Sequence, residues 1–250
     1  MSTQQTILLV GGTGRTGRCV LKQLLGGGIS VRVVVRSAQK LPAGAADDPN
    51  LTVVEADILS LGDDDLLRQI RGCDAVISCL GHVLDFKGIF GPPRDLVTRA
   101  TTRLCRAIET LQPPKPVKFI LMSSVSVNRP GGLDTRRGTF EKTVMWILRG
   151  LVPPAKDNQR AADFLYRAVG MTDTFVQWVA VRPDTLREGD VSEYSLHDGL
   201  VSSLFAPDST NIINVAHFIC ELATNSKAWD DWKGRMPVII NATTSRRGGK

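Results

Sequence analysis

The chain has 250 residues, of which 42% are hydrophobic and 22% are charged, the composition of an ordinary globular domain. No stretch approaches the roughly 18 apolar residues that span a membrane, and the first residues lack the basic start of a secretory signal, so we expect a cytoplasmic protein without a membrane segment. The net charge of +6 comes from scattered basic residues, which argues against a nucleic-acid partner, and the five scattered cysteines predict neither a disulfide framework nor a zinc site.

Short apolar runs alternate with segments of helical periodicity along the chain. Strands are predicted at residues 6–10, 30–36, 51–55, 75–79, 117–122, 174–181 and 237–240. Helices are predicted at residues 15–25, 61–70, 94–111, 139–149, 158–169 and 215–224. Near-continuously apolar strands that alternate with helices are typical of a parallel sheet covered on both faces. The predicted fold class is therefore α/β, a doubly wound parallel sheet in a single domain over residues 1–250.

Residues 80–93 and 183–211 interrupt this alternation. Both segments begin where a strand ends, and ligands of open α/β sheets bind beyond the carboxyl ends of the strands. We therefore expect both loops to form the substrate side, the second as a small C-terminal substrate lobe, although surface elaboration is an equally open interpretation. Phe86, Ile89 and Phe90 in the first loop would suit an apolar substrate, and core packing or a dimer contact would suit them equally. A flexible tail is expected at residues 243–250.

A glycine-rich run separates the first predicted strand from the first predicted helix. It consists of Gly11, Gly12, Thr13, Gly14, Arg15, Thr16 and Gly17. A tight turn at this place lets a pyrophosphate bind the free N–H groups of the helix N-terminus, which indicates a Rossmann-type sheet. A carboxylate at the end of the second strand would favour NAD, but Arg36 stands there. Arg36 and Arg15 are predicted to bind the 2′-phosphate of NADP(H); the alternative is two solvated arginines.

Residues at the ends of the third and fourth strands are predicted to contact the same cofactor. Asp57, followed by Ile58, could accept a hydrogen bond from the adenine amino group, while a helix N-cap is the competing role. Leu80 and Gly81 follow the fourth strand, where a glycine lets the chain pass close to the cofactor ribose.

Hydroxyl groups and a histidine are the first candidates for chemistry. Ser123 and Ser124 follow the fifth strand, so their side chains can reach the crevice, Ser123 toward the cofactor and Ser124 as the best catalytic candidate. A turn-forming role is the alternative for Ser124. His82, next to Gly81, could act as an acid, although an isolated histidine in a loop is more often a packing residue.

These features resemble the short-chain dehydrogenase/reductase superfamily, in its atypical and extended branches. The resemblance is carried by Gly11, Gly14, Gly17, Asp57, Ile58, Ser123, Ser124, Arg182, Pro183 and residues 213–216. It covers nearly the whole chain, and similar proteins include NAD(P)H-binding flavin and biliverdin reductases and nitrogen-metabolite-repression regulators. The resemblance implies the fold and the dinucleotide, but it does not specify the activity.

The chain departs from this superfamily at the proton relay, which uses a tyrosine and a lysine four residues later. Its two tyrosines are Tyr166 and Tyr194, and Gly170 and Asp198 stand at the lysine position. Neither pair can form the relay. The sequence therefore leaves the proton donor open.

Two lysines lie where the superfamily places its active-site helix. They are Lys142 and Lys156, of which Lys156 is the weak catalytic candidate. Asp157 or Asn158, directly after it, is predicted to cap the helix at 158–169. No metal-ligand spacing and no serine-hydrolase motif occurs in the sequence, so no metal is expected.

Three functions remain open at this point. The first is an NADPH-dependent oxidoreductase acting on a small apolar carbonyl, enone or quinone-like substrate. The second is an NADP(H)-binding redox sensor or regulator without turnover, and the third is a non-redox isomerase or cyclase on the same fold. A small-molecule substrate is expected in the first and third cases, and a homodimer or a regulatory protein partner is compatible with all three.

Overall fold

The computed structural model describes residues 4–82, 93–130, 134, 141, 153–203 and 205–242. The strands in chain order are β1 (Thr6–Val10), β2 (Ser30–Val35), β3 (Leu51–Glu55), β4 (Ala75–Ser78), β5 (Val117–Met122), β6 (Val176–Pro183), β7 (Thr185–Arg187), β8 (Tyr194–His197), β9 (Ser209–Asn211) and β10 (Val238–Asn241). Eight of them form one sheet in the order β3-β2-β1-β4-β5-β6-β10-β8, and β7 pairs with β9 in a small second sheet. All pairs in the main sheet are parallel except β10 with β8.

Helices cover both faces of the main sheet. They are α1 (Arg15–Gly26), α2 (Asp63–Ile70), α3 (Leu96–Leu111), α4 (Pro153–Phe164), α5 (Ile212–Thr224) and α6 (Ser226–Trp232). Successive residues of a strand point to opposite faces. Ile7 and Leu9 accordingly pack with α1 and α5, whereas Leu8 and Val10 pack with α2 and α3. The fold class predicted from the sequence is confirmed, and it is Rossmann-like.

The long segment 183–211 contains regular structure that the sequence did not predict. It holds the short strands β7, β8 and β9, and β8 joins the edge of the main sheet in antiparallel orientation to β10. Strands of three or four residues are too short to produce a recognisable hydrophobic pattern. Part of the expected C-terminal lobe is therefore an extension of the sheet itself.

Several sequence predictions lie outside the described residues. These are the helix at 139–149 with Lys142, most of the first loop with Phe86, Ile89 and Phe90, and the tail at 243–250. The helix predicted at 158–169 begins earlier, at Pro153, and its last turn is a π-helical turn over Leu165–Val169. Helix α6 was missed because its apolar side chains are too few to show a helical period.

Candidate functional site

The carboxyl ends of three neighbouring central strands, β1, β4 and β5, lie side by side in the sheet. Val10 of β1 is paired with Ser78 of β4, and Ser78 is paired with Leu121 of β5. The chain order reverses between β1 and β4, and ligands of doubly wound sheets bind at such a reversal. The structure thus brings together the glycine turn, the segment 80–82 and the serines after β5, while Arg36 and Asp57 follow β2 and β3 on the other side of β1.

The glycine turn packs too tightly to accept side chains. Gly11 has a φ of +81°, and a Cβ there would lie 2.5 Å from the Cys79 carbonyl carbon. A Cβ at Gly17 would overlap the carbonyl oxygen of Gly11. Helix α1 can therefore begin directly against the end of β1. Its N-cap is Gly14, which has no side chain to offer the free N–H groups of the first turn, so these groups are available to an anion.

Three arginines surround this turn, and their side chains have different surroundings. Arg15 donates from Nη2 and Nε to one carboxylate oxygen of Glu188, at 2.9 and 3.2 Å. Arg18 donates to the backbone carbonyl of Lys40 at 2.9 Å, so it lies beside the segment that follows β2. Arg36 is exposed at the start of that segment. The sequence analysis did not predict that Arg18 or Glu188 lies beside this turn. The position of Arg18 in the first turn of the predicted helix could have indicated it, whereas no local pattern indicates Glu188.

Glu188 belongs to a loop that is fastened to β9 and to the first turn of α5. Asn214 is fully buried, accepts a hydrogen bond from the Ser192 N–H at 3.0 Å and donates to the Ser192 hydroxyl at 2.9 Å. Gly189 lies so close to Asn211 that a Cβ would be 2.8 Å from its side-chain nitrogen. The position of Glu188 on Arg15 thus follows from packing far along the chain, for which the local sequence gives no signal.

A buried carboxylate holds the segment after β4. Asp157 is 2% exposed and accepts hydrogen bonds from the N–H groups of Val97 and Thr98 at 2.8 and 2.9 Å and from the Thr98 hydroxyl at 2.6 Å. His82 Nε2 lies 2.9 Å from the same carboxylate. Because the carboxylate is an acceptor, Nε2 is assigned as the protonated nitrogen of the ring.

The predicted role of Asp157 as the cap of its own helix is wrong. Helix α4 already begins at Pro153, so Asp157 lies inside it and instead caps the N-terminus of α3. Two free N–H groups and a helix dipole stabilise the charge of this buried carboxylate. Lys156, the neighbouring candidate, is exposed on α4, and no contact within the described residues draws its side chain to the crevice.

The two serines after β5 have different environments. Ser124 Oγ lies 2.5 Å from Ser126 Oγ and accepts a hydrogen bond from the Ser126 N–H at 3.3 Å, which is the turn-forming arrangement. Ser123 is 7% exposed, and its hydroxyl has no hydrogen-bond partner among the described residues. A buried hydroxyl without a partner costs free energy, so Ser123 is the serine with unused bonding capacity.

The residues after β3 form a turn that leads into α2. Asp57 is exposed, and its Oδ1 accepts a hydrogen bond from the Leu59 N–H at 2.8 Å. Ile58 is buried, and its carbonyl oxygen accepts a hydrogen bond from Arg103 at 2.8 Å. Asp57 therefore stabilises this turn and does not cap a helix, because α2 begins only at Asp63 with Gly62 as its N-cap. Contact of Asp57 with adenine stays a prediction.

Arg182, which the sequence placed in an arginine–proline pair, is completely buried beneath the serine loop. Its Nε donates to the Met236 carbonyl at 2.8 Å, and its Nη1 donates to the Val127 carbonyl at 3.0 Å and to Asp134 at 2.7 Å. Burial raises the pKa of Asp134, but hydrogen bonds and charge attraction from Arg182 outweigh it, so the pKa lies below its usual value. Arg182 therefore positions the serine loop from below.

In the ranges that the structure describes, no helix has the length and apolar character needed to cross a membrane. Among the same residues, no group of three or more His, Cys, Asp or Glu side chains could hold a metal ion.

Comparison with known proteins agrees with this geometry. A family model described as NAD(P)H-binding matches residues 11–226. A curated relative, an uncharacterised chloroplastic protein of Arabidopsis thaliana, is 33% identical over 124 residues, which are 49% of this chain and 42% of the relative. The chain therefore matches less than half the length of that relative.

Solved structures extend the similarity over nearly the whole chain. The oxidoreductase ylbE of Lactococcus lactis has a TM-score of 0.67 at 21% identity and covers 95% of this chain and 91% of its own. The anaerobilin reductase ChuY of Escherichia coli O157:H7 has a TM-score of 0.68 at 16% identity, with 96% and 98% covered. A short-chain dehydrogenase/reductase of Veillonella parvula in complex with NADP has a TM-score of 0.65 at 13% identity, with 97% of both chains covered.

At such low identities these structures establish the fold alone. The family model, by contrast, matches well over half of the chain and includes the glycine turn, the segment after β4 and both serines. The chain therefore belongs to the NAD(P)H-binding family, and its fold is Rossmann-like.

Proposed function

We propose that this protein is an NADPH-dependent oxidoreductase that reduces a small apolar carbonyl, enone or quinone-like substrate. The observation that carries the proposal is the glycine turn, in which α1 presents uncapped N–H groups and Arg36 follows β2 where NAD-binding proteins carry a carboxylate. Reductases among the structural relatives support the same class of reaction.

The residues present fit a dinucleotide. At Gly11 and Gly17 the backbone packs so closely against other backbone that α1 begins directly at the end of β1, with its first N–H groups facing the carboxyl end of that strand. The buried hydroxyl of Ser123 has no partner among the described residues. Gly11, Thr13, Gly14, Thr16 and the free N–H groups of α1 would hold the diphosphate. Leu80, Gly81 and Ser123 would contact the nicotinamide half. When bound, the nicotinamide supplies or accepts the hydride.

Arg36 would provide the preference for the 2′-phosphate, assisted by Arg18. Both lie on the β2 side of α1, where a guanidinium can donate two hydrogen bonds to a phosphate. Arg15 is less available for this purpose, because a phosphate would have to share it with the Glu188 carboxylate. Of the two arginines that the sequence predicts to bind the 2′-phosphate, we therefore propose Arg36 as the main ligand.

We expect Arg36→Asp to weaken NADPH binding by about 10- to 100-fold, since hydrogen bonds to charged groups contribute about 1.5–3 kcal/mol. NADH binding should change by less than about 3-fold, because NADH lacks the 2′-phosphate. Titration of dinucleotide fluorescence measures both affinities. Arg235→Asp, the same change at another exposed arginine, controls for net charge. Equal losses for NADPH and NADH would contradict the assignment.

His82 is the proposed proton donor in place of the absent tyrosine and lysine. Asp157 fixes the orientation of the ring, because its carboxylate lies 2.9 Å from Nε2. Ser124 would orient the substrate oxygen from the neighbouring strand end. This arrangement needs the ring to reach the substrate through Nδ1, since Nε2 is occupied by Asp157.

We expect His82→Gln to lower kcat by about 100-fold or more, the usual size of a general-acid contribution, while the Kd for NADPH stays within about 2-fold. Glutamine can still donate to Asp157, so the fold should persist. Steady-state kinetics and dinucleotide titration separate the two effects. If His82 only packs, kcat will remain near the wild-type value while the melting temperature falls.

The substrate class depends on the apolar residues of the first loop, which lie outside the described structure. A screen of NADPH oxidation against carbonyls, enones, quinones and flavins tests it directly. Tight NADPH binding without turnover of any of these would favour the alternative of a redox sensor, which the missing tyrosine–lysine pair also supports. In that case a partner should bind differently to the NADP⁺ and NADPH forms.

A further inference from the structure

A groove runs along the outer surface between α2 and α3. Its volume is about 550 Å³, and α3 contributes the residues at positions 98, 99, 102, 103, 106, 107 and 110. This spacing describes one continuous face of the helix. At 1.5 Å per residue the lining is about 18 Å long, which is enough for three turns of another helix.

The floor of the groove is apolar. Leu59, Leu66 and Leu67 form it on the α2 side, and Ala107 forms it on the α3 side. Leu66 is almost fully buried, whereas Leu59 and Leu67 remain partly accessible from the groove. A floor of this kind gains free energy when an apolar face covers it.

The rim is positively charged. Arg103 is already matched, since it pairs with Asp63 at 2.7 Å. The ion pair between Arg99 and Asp95 is long, at 3.8 Å, and both side chains are about half exposed. This contact therefore neutralises little of the charge of Arg99. Arg106 is exposed and has no ion pair within the described residues. Two cations thus stand beside the apolar floor.

One end of the groove touches the network that supports the crevice. Thr98 lines the groove, and its hydroxyl donates to Asp157 at 2.6 Å. Asp157 in turn holds His82 after β4. An occupant at this end of the groove would contact Thr98, which is connected to His82 through Asp157, and would leave the crevice itself open.

We propose that this groove binds an acidic amphipathic helix of a partner protein. Apolar side chains at i, i+3, i+4 and i+7 would cover the leucine floor, and flanking carboxylates would face Arg99 and Arg106. A second copy of this chain fits less well, because its net charge of +6 repels another copy and attracts an acidic partner. This surface is independent of whether the bound dinucleotide is turned over.

A fluorescein-labelled synthetic helix tests the proposal, with leucine at the four positions above and glutamate beside them. Fluorescence anisotropy should show saturable binding to the full chain, weaker at high salt. The double variant Arg99→Gln/Arg106→Gln should weaken it by about 5- to 30-fold, as expected for two charge pairs of about 0.5–1 kcal/mol each. The matched control Arg160→Gln/Arg235→Gln removes the same charge from exposed sites elsewhere and should change binding by less than about 2-fold.

Four results would overturn the proposal. Equal weakening in both double variants would mean that any basic surface attracts the peptide. Absence of saturable binding to the wild type at about millimolar concentration would mean that the groove does not accept such a helix. Sedimentation velocity that shows a wild-type dimer, made monomeric by Arg99→Gln/Arg106→Gln, would identify the groove as a contact between copies. Amide shifts on binding should map to α2 and α3, and shifts confined to the crevice would also contradict it.

Discussion

Gly17→Ala is expected to abolish dinucleotide binding by this protein at concentrations where the wild type is saturated. The new Cβ would overlap the Gly11 carbonyl oxygen and lie 3.1 Å from the Gly12 Cα. Both neighbours are backbone, so no side-chain rotation relieves the overlap, and α1 must move away from β1. Displacing the N–H groups of the first turn by even a fraction of an ångström removes several charge-assisted hydrogen bonds, so we expect a loss of at least about 100-fold in affinity.

Isothermal titration with NADPH measures this loss, and Gly26→Ala is the matched control in the same helix. A Cβ at Gly26 meets no atom within 4 Å, so this variant should bind normally and gain about 0.5–1 kcal/mol in the free energy of unfolding. Circular dichroism must show that Gly17→Ala remains folded. Wild-type affinity in a folded Gly17→Ala variant would remove the glycine turn from the proposed cofactor site.

Arg182→Ala is expected to lower the free energy of unfolding by about 3–5 kcal/mol, because removal of one partner leaves the other charge buried. The guanidinium makes its bonds at zero exposure. Without it the carbonyls of Val127 and Met236 lose these hydrogen bonds, and Asp134 loses its buried cation and keeps the hydrogen bonds from the N–H groups of Arg129 and Leu200. Urea unfolding at neutral pH measures the change. Arg187→Ala, at an exposed position on β7, should stay within about 0.5 kcal/mol of the wild type.

The same network predicts a pH dependence. The folded-state pKa of Asp134 is lowered from 3.8, so its stabilisation is fully present above about pH 4 and is lost as the pH falls through the folded pKa. Asp134→Asn should be less stable than the wild type at neutral pH, and this difference should shrink in acid. A difference that stays constant from neutral pH into acid would show that the Asp134 charge does not stabilise the fold.

The sequence predicted those features that arise from local patterns. Seven of the strands, the turn at Gly11–Gly17 and the segment 80–82 could be recognised because apolar runs and glycines report on the backbone nearby. The cap that Asp157 places on α3 could not be found in this way, since its partners lie about sixty positions earlier. A rule that relates a carboxylate to its own helix gives the wrong helix here, because only packing decides which N-terminus comes close.

Tertiary contacts also decide which serine and which arginine are available to a ligand, and the local sequence does not show these contacts. The pattern favoured Ser124 as the catalytic serine, yet the structure gives Ser124 the turn and leaves Ser123 with the unsatisfied hydroxyl. The sequence predicts that Arg15 and Arg36 bind the same phosphate, and in the structure Arg15 also donates to Glu188, 173 positions away, so a phosphate would share this side chain with the carboxylate. Such competition between partners depends on tertiary contacts and leaves no trace in local composition.

The bond from Arg182 to the Met236 carbonyl also bears on how the chain matures during synthesis. A ribosome releases the glycine turn first, and the Met236 carbonyl leaves it 54 residues after Arg182 itself. Until Met236 has emerged, a nascent chain that buries Arg182 leaves its Nε–H without the acceptor that it has in the folded protein. A messenger truncated before this codon should therefore yield fragments that contain every predicted cofactor residue but are degraded rapidly in the cell.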